Sequence, residues 1–195
     1  MSEVLATSED GRYRVILEQD VDAQAPEDDA QGYVFALDYG RMGNRSIECL
    51  AAPVGDPWAD DMAAALLSAT SRWDLESDET RRYLAIFWDV VSMATYHRRA
   101  GGVFVMLVTS AMCDEWGIPA GAPYRLETAD LRDWEAWDEG DVYGYVIEER
   151  TTWHADGREG REEWEETDES CWGFYGYSYA REEALEAFAG AGARS

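Results

Sequence analysis

The chain contains no lysine. All 16 of its basic residues are arginine, set against 41 Asp and Glu, for a formal net charge of −25. That sign opposes direct nucleic-acid binding, because phosphate recruits Lys and Arg. No arginine group is larger than the pairs Arg81/Arg82 and Arg98/Arg99. The same sign opposes docking to an anionic membrane surface. No apolar run approaches the roughly 18 residues that mark a membrane-spanning helix. The opening MSEVLATSEDGRYR lacks a basic stretch followed by an apolar one, so a secretory leader is not expected and the expected location is the cytoplasm.

Groups that commonly carry chemistry are also sparse. Histidine occurs only as His97 and His154. His97 falls at the end of an expected helix, where it suits the negative end of the dipole. His154 and Asp156 flank a turn, and two such residues fall short of the three or four ligands of a zinc site. Cys49, Cys113 and Cys171 are odd in number, far apart and without a CxxC, so reduced, partly buried thiols are expected rather than a disulfide framework. Cys113 sits in CDEWG, where neighbouring carboxylates raise a thiol pKa and work against a reactive thiolate. GxSxG, HExxH, GxGxxG, GxxxxGK[ST] and an EF-hand loop are all missing. No catalytic, cofactor-binding or metal-binding residue is assigned, and a non-enzymatic protein is expected.

What the chain has in quantity is ring and carboxylate. Nine Trp and eleven Tyr exceed what a core of this size requires, and such rings are enriched at binding hot spots. A hydrophobic fraction of 46% supports a true core, and residues 1–195 suit a single domain. Tyr13, Val15 and Leu17 alternate with Arg12, Arg14 and Ile16 as in a strand. An acidic loop, 20–32, separates it from a second strand, Tyr33–Tyr39, and RMGNR turns the chain into Ser46–Ala51. Asp60–Trp73 reads as a helix with acids at its start. Asp78–Arg99 reads as a long core helix capped by Ser77, with Leu84, Phe87, Val91 and Ala94 on one stripe and a stop at Gly101-Gly102. The apolar run Gly102–Thr109 is expected to be a central strand buried on both faces. A short helix follows over Ala111–Trp116, then an acidic one over Ala129–Glu139 carrying Trp134 and Trp137. A hairpin over 141–176 turns near Asp156-Gly157, and Ser178 starts a last helix reaching Phe188. Gly144, Gly173 and Gly176, set among rings, mark bulges or close approaches. This order implies an α+β fold: one mostly antiparallel sheet, helices packed on one face, and a protruding acidic C-terminal hairpin.

Two acidic stretches are the candidate partner-binding surface. One is the helix with Asp133, Glu135, Asp138 and Glu139. The other is the returning arm of the hairpin, with Glu159, Glu162, Glu163, Glu165, Glu166, Asp168 and Glu169, where Trp153 and Trp164 would act as anchors. Same-face residues on a strand recur every ~6.6–6.8 Å, or roughly two axial steps of one DNA strand. Such a surface would meet Arg and Lys of a basic partner and would associate quickly by electrostatic steering. The charge also has plainer explanations: a GC-rich genome that favours Arg codons, a high-salt cytoplasm, or a simply solvated arm. Clustered carboxylates leave a metal-dependent enzyme as a third reading.

The blocks GDVYGYVIEE and DESCWGFYGYSYAREEA resemble the C-terminal end of small uncharacterised accessory proteins of phages and plasmids. GNRSIECLAA and GVFVMLVTSAMCDEWG look like weaker upstream counterparts. The resemblance implies a mobile-element context and carries no activity. With the charge, it leads to the expectation of an acidic inhibitor that mimics nucleic acid and occupies a basic groove of a host DNA-binding or defence protein, of restriction or CRISPR type. The alternative is a structural or regulatory interaction protein whose charge reflects its host. A homodimer is left open.

Overall fold

The longest apolar run of the chain becomes an inner strand. In the computed structural model, which describes residues 2–26, 32–39, 45–53, 57–99, 101–119, 122–153 and 161–192, Val103–Thr109 is buried at every position. It lies in a four-stranded antiparallel sheet together with Tyr33–Tyr39, Arg45–Ala51 and Val90–His97. Numbered through the chain, the strands are β1 (Ser2–Thr7), β2 (Tyr13–Gln19), β3 (Tyr33–Tyr39), β4 (Arg45–Ala51), β5 (Val90–His97), β6 (Val103–Thr109), β7 (Val142–Trp153), β8 (Arg161–Glu166) and β9 (Cys171–Tyr175). The helices are α1 (Ala59–Thr70), α2 (Asp78–Trp88), α3 (Ser110–Glu115), α4 (Arg132–Glu139) and α5 (Tyr177–Gly192), with a 3-10 turn at Thr128–Leu131 ahead of α4. The class is α+β with antiparallel sheets, as expected.

The strands divide between two sheets where one was expected, and the chain forms two compact units. Residues 25–138 make one unit, with strand order β4-β3-β6-β5. Its core gathers Phe35, Leu37, Leu66, Leu84, Phe104, Met106 and Leu107, each almost fully buried. Burying one such side chain contributes about 1.5–3 kcal/mol. Residues 1–24 and 139–195 make the other unit, with order β1-β2-β7-β8 and β9 beside β7. There Val15, Leu17 and Ile147 on one sheet face meet Ala180 and Ala184 of α5, whose small side chains let the helix sit close.

The long helix expected over Asp78–Arg99 does not form. Ser77 caps α2 as expected, accepting a hydrogen bond from the Thr80 N–H at 3.2 Å. Asp89 then adopts φ 55 in the left-handed region and ends the helix. Val90–His97 leaves as β5 and pairs antiparallel with β6. Its β-branched and aromatic residues favour a pleated, half-buried surface over a helix. Of the expected stripe, Leu84 and Ala94 are buried, whereas Phe87 and Val91 are exposed.

The N-terminal strand β1, not foreseen, pairs with β2 across a turn in which the Gly11 N–H reaches the Ser8 carbonyl. The returning arm of the hairpin expected over 141–176 breaks into two strands. β8 pairs with the far half of β7, β9 with its near half, and Thr167–Ser170 links them. Residues 154–160, where the turn near Asp156-Gly157 is expected, and residues 27–31 of the expected acidic loop lie outside the described residues. Among the described residues no helix is long and apolar enough to cross a membrane.

Candidate functional site

The acidic ribbon is built by strand register. β8 is an edge strand carrying Glu162, Glu163, Glu165 and Glu166 in six residues. Opposite positions are Glu148↔Glu166, Glu149↔Glu165, Arg150↔Trp164, Thr151↔Glu163 and Thr152↔Glu162. β2 adds Arg14 beside Glu148 and Tyr13 beside Glu149. One face therefore carries Arg14, Glu148, Arg150, Trp164, Glu162 and Glu166. The other carries Glu149, Thr151, Glu163 and Glu165.

Arginine pairs with Glu148 and Glu149 of β7 and with one of the four carboxylates of β8, Glu162. Arg14 Nε lies 2.5 Å from Glu148 Oε2, and its guanidinium sits 4.2 Å over the Trp164 ring. Arg12 Nη2 pairs with Glu149 Oε1 at 2.6 Å, and Arg150 Nη1 lies 3.6 Å from Glu162 Oε2. Exposed pairs of this kind contribute at most about 1 kcal/mol each. Glu162, Glu163, Glu165 and Glu166 on the edge strand are all exposed, and Trp164 is half-buried under Arg14. Asp168 and Glu169 are exposed in the link between β8 and β9. Trp153 closes β7 opposite Arg161. Glu159 falls outside the described residues.

The second acidic group behaves differently. α4 turns Trp134 into the core, edge-on to Phe104 at 6.2 Å and to Trp137 at 6.1 Å. Asp138 is occupied: Arg98 Nη2 reaches its Oδ1 at 2.6 Å, and its side chain is only 8% exposed. Arg98 also reaches Asp38 at 3.1 Å. These contacts hold the Arg98 guanidinium above its ordinary pKa, chiefly through the Asp138 hydrogen bond. Asp138 is thus a structural anchor, while Asp133 and Glu139 are exposed and Glu135 is half-buried. α4 up to Asp138 and β8 belong to different units, and each acidic group stands by itself.

The remaining candidates do not converge. His97 is exposed at the end of β5, not at a helix end, with Nε2 3.5 Å from Glu76 Oε1. The Thr95 hydroxyl donates to the same oxygen at 2.5 Å and is the main cause holding the Glu76 carboxyl below the usual range. Burial pushes the Cys113 and Cys49 thiols up. Cys171, expected to be partly buried, is exposed. His154 and Asp156 lie outside the described residues. Among the described residues no three His, Cys, Asp or Glu side chains gather as metal ligands do.

Two features escaped the sequence. Ile86 and Phe87 form an exposed apolar ridge on α2, at 67% and 69% exposure. The signal that could have found it is Asp89, which can adopt the left-handed conformation and so end the helix ahead of Val90-Val91. The other feature is Trp172, which lies against Gly144 so closely that a Cβ there would meet its Cε3 at 2.2 Å. No protein-family model, no curated protein and no solved structure matches the chain.

Proposed function

We propose that the protein is a non-enzymatic acidic inhibitor that uses the β7–β8 ribbon to occupy a basic, nucleic-acid-binding groove on a partner protein. The observation that carries this reading is the edge strand itself. Four exposed carboxylates occupy positions 162, 163, 165 and 166, with Arg150 3.6 Å from Glu162, alongside a β7 row whose Glu148 and Glu149 are paired with Arg14 and Arg12. Alternation sends Glu163 and Glu165 to one face and Glu162 and Glu166 to the other. Such a strand presents charge along a line, as a nucleic-acid backbone does. A host protein of restriction or CRISPR type is the partner class that fits the resemblance to phage and plasmid accessory proteins.

The second reading takes the same charge as protective. An open sheet edge invites pairing with another chain, and charged residues suppress it. Under that reading the protein is a structural or regulatory interaction protein and the ribbon binds nothing.

One experiment separates the two. The intact protein and a variant with Glu162, Glu163, Glu165 and Glu166 all changed to Arg are immobilised and exposed to host lysate at low and high salt. Under the mimicry reading the intact protein retains a DNA-binding protein at low salt, added DNA displaces it, and the variant retains none. Equal retention by the variant defeats the proposal. Aggregation of the variant with no protein captured by the intact chain supports the protective reading.

A further inference from the structure

We propose that the open edge of β5 is a second binding site, which takes up an extended acidic peptide as an added strand. β5 is the outermost strand of its sheet, with β6 on one side only. A groove of about 790 Å³ runs along its other side. Five consecutive residues, Val91–Thr95, line it. Successive side chains of a strand point to opposite faces, so a groove touched by all five follows the edge and not a face. The stretch Pro123–Glu127 forms the far wall, held by the Leu126 N–H on Ser92 Oγ at 2.7 Å.

The backbone on this edge faces outward. Arg81 Nη1 donates to the Met93 carbonyl at 3.4 Å, which places that carbonyl away from β6. The strand period of two directs the N–H and C=O of Thr95 the same way. An added strand would bond Thr95 directly and would take the Met93 carbonyl over from Arg81, with side-chain pockets giving selectivity.

The charge of the groove selects the occupant. Arg81 and Arg125 line it, and Arg82 lines an adjoining groove of about 290 Å³ on the same edge. Arg12, Arg14, Arg98 and Arg150 each have a carboxylate within ion-pair distance. Among the described residues Arg81, Arg82 and Arg125 have none within that distance, while Glu76, which accepts from Thr95 of the groove, is the carboxylate that feels the charge of Arg81. Glu127 is the one carboxylate lining the larger groove. A second copy pairing β5 with β5 would bring these arginines against one another, and like charges across an interface are costly. An acidic segment of another protein meets them favourably. This site lies in the unit of residues 25–138 and does not rest on the ribbon proposed above.

The test is fluorescence anisotropy of the full chain with a fluorescein-labelled peptide of alternating Glu and Val. Two comparison peptides are used: one with Lys for every Glu, and one with N-methyl groups on alternate backbone amides of the bonding edge. The acidic peptide is expected to bind, more weakly as salt rises, and the other two at least about tenfold more weakly. The double variant Arg81→Glu, Arg125→Glu is expected to lose about tenfold in affinity, or ~1.4 kcal/mol, while still unfolding in one cooperative transition well above the assay temperature. Absence of binding overturns the proposal. So does equal binding of the N-methylated peptide, which would reduce the interaction to charge alone, or equal binding by the double variant. Concentration-dependent dimerisation of the peptide-free chain, abolished by Thr95→Pro, which removes an outward backbone N–H, also overturns it and makes a second copy the occupant.

Discussion

Gly144→Ala should destabilise the protein although the change adds a single methyl group. Gly144 sits on β7 where the register with β9 shifts, and Trp172 covers it. A Cβ at 144 would lie 2.2 Å from Trp172 Cε3, 2.4 Å from its Cδ2 and 2.9 Å from the Cys171 carbonyl oxygen. The indole must leave. Trp172 is 46% exposed, so about half of its surface is at stake. A Trp buries roughly 200 Å², so about 100 Å² is lost, or about 2.5 kcal/mol at ~25 cal/mol per Å². Alanine recovers about 0.5 kcal/mol of backbone entropy relative to glycine. The net cost is about 2 kcal/mol, or a fall in Tm of roughly 4–8 °C for a chain of this size. Urea unfolding followed by circular dichroism measures it. A double-mutant cycle with Trp172→Ala sharpens the result. With the indole gone only the Cys171 carbonyl remains close, so the Gly144→Ala cost should fall to about 1 kcal/mol, of the size typical of contacting pairs. Strict additivity of the two changes, or an unshifted midpoint for Gly144→Ala, would refute the packing argument.

Other outcomes follow from single contacts. Ser77→Ala should cost about 1 kcal/mol by removing the cap of α2, measurable in the same unfolding assay. Asp89→Val should cost about 2 kcal/mol because a β-branched residue resists φ 55, while Asp89→Asn, which tolerates that region and keeps an acceptor for the Ser110 hydroxyl, should be near neutral. Iodoacetamide at pH 8, with peptide mapping, should alkylate exposed Cys171 well before Cys49 and Cys113. Burial raises the pKa of those two thiols above the ordinary value, so their thiolate fraction at pH 8 is reduced. Added NaCl should raise Tm, since the Debye length falls from ~10 Å at 0.1 M to ~3 Å at 1 M and screens a net charge of −25; an unchanged Tm would show that self-repulsion does not limit stability.

The sequence alone determined whatever rests on neighbours a few residues apart. β6 was legible because six successive apolar residues leave no face for water, and α1 and the start of α2 because their acids and the Ser77 cap act within one turn. The pairing of β7 with a returning acidic arm was legible from alternating residues on either side of the Asp156-Gly157 pair. Tertiary structure decided what depends on partners distant in the chain. Leu84, Phe87, Val91 and Ala94 satisfy helical spacing, yet β6 offers Val90–His97 an edge to pair with, and a sheet ladder outweighs a helical stripe once Asp89 turns the chain. Division into two sheets follows from β2 pairing with β7, more than a hundred residues away, which no local pattern encodes. Within the candidate site, composition set how many carboxylates there are, but strand register and the reach of arginine decided which remain exposed. Arg98 takes Asp138 into the structure, Arg14 takes Glu148 and covers Trp164, and the carboxylates of β8 are left on an edge.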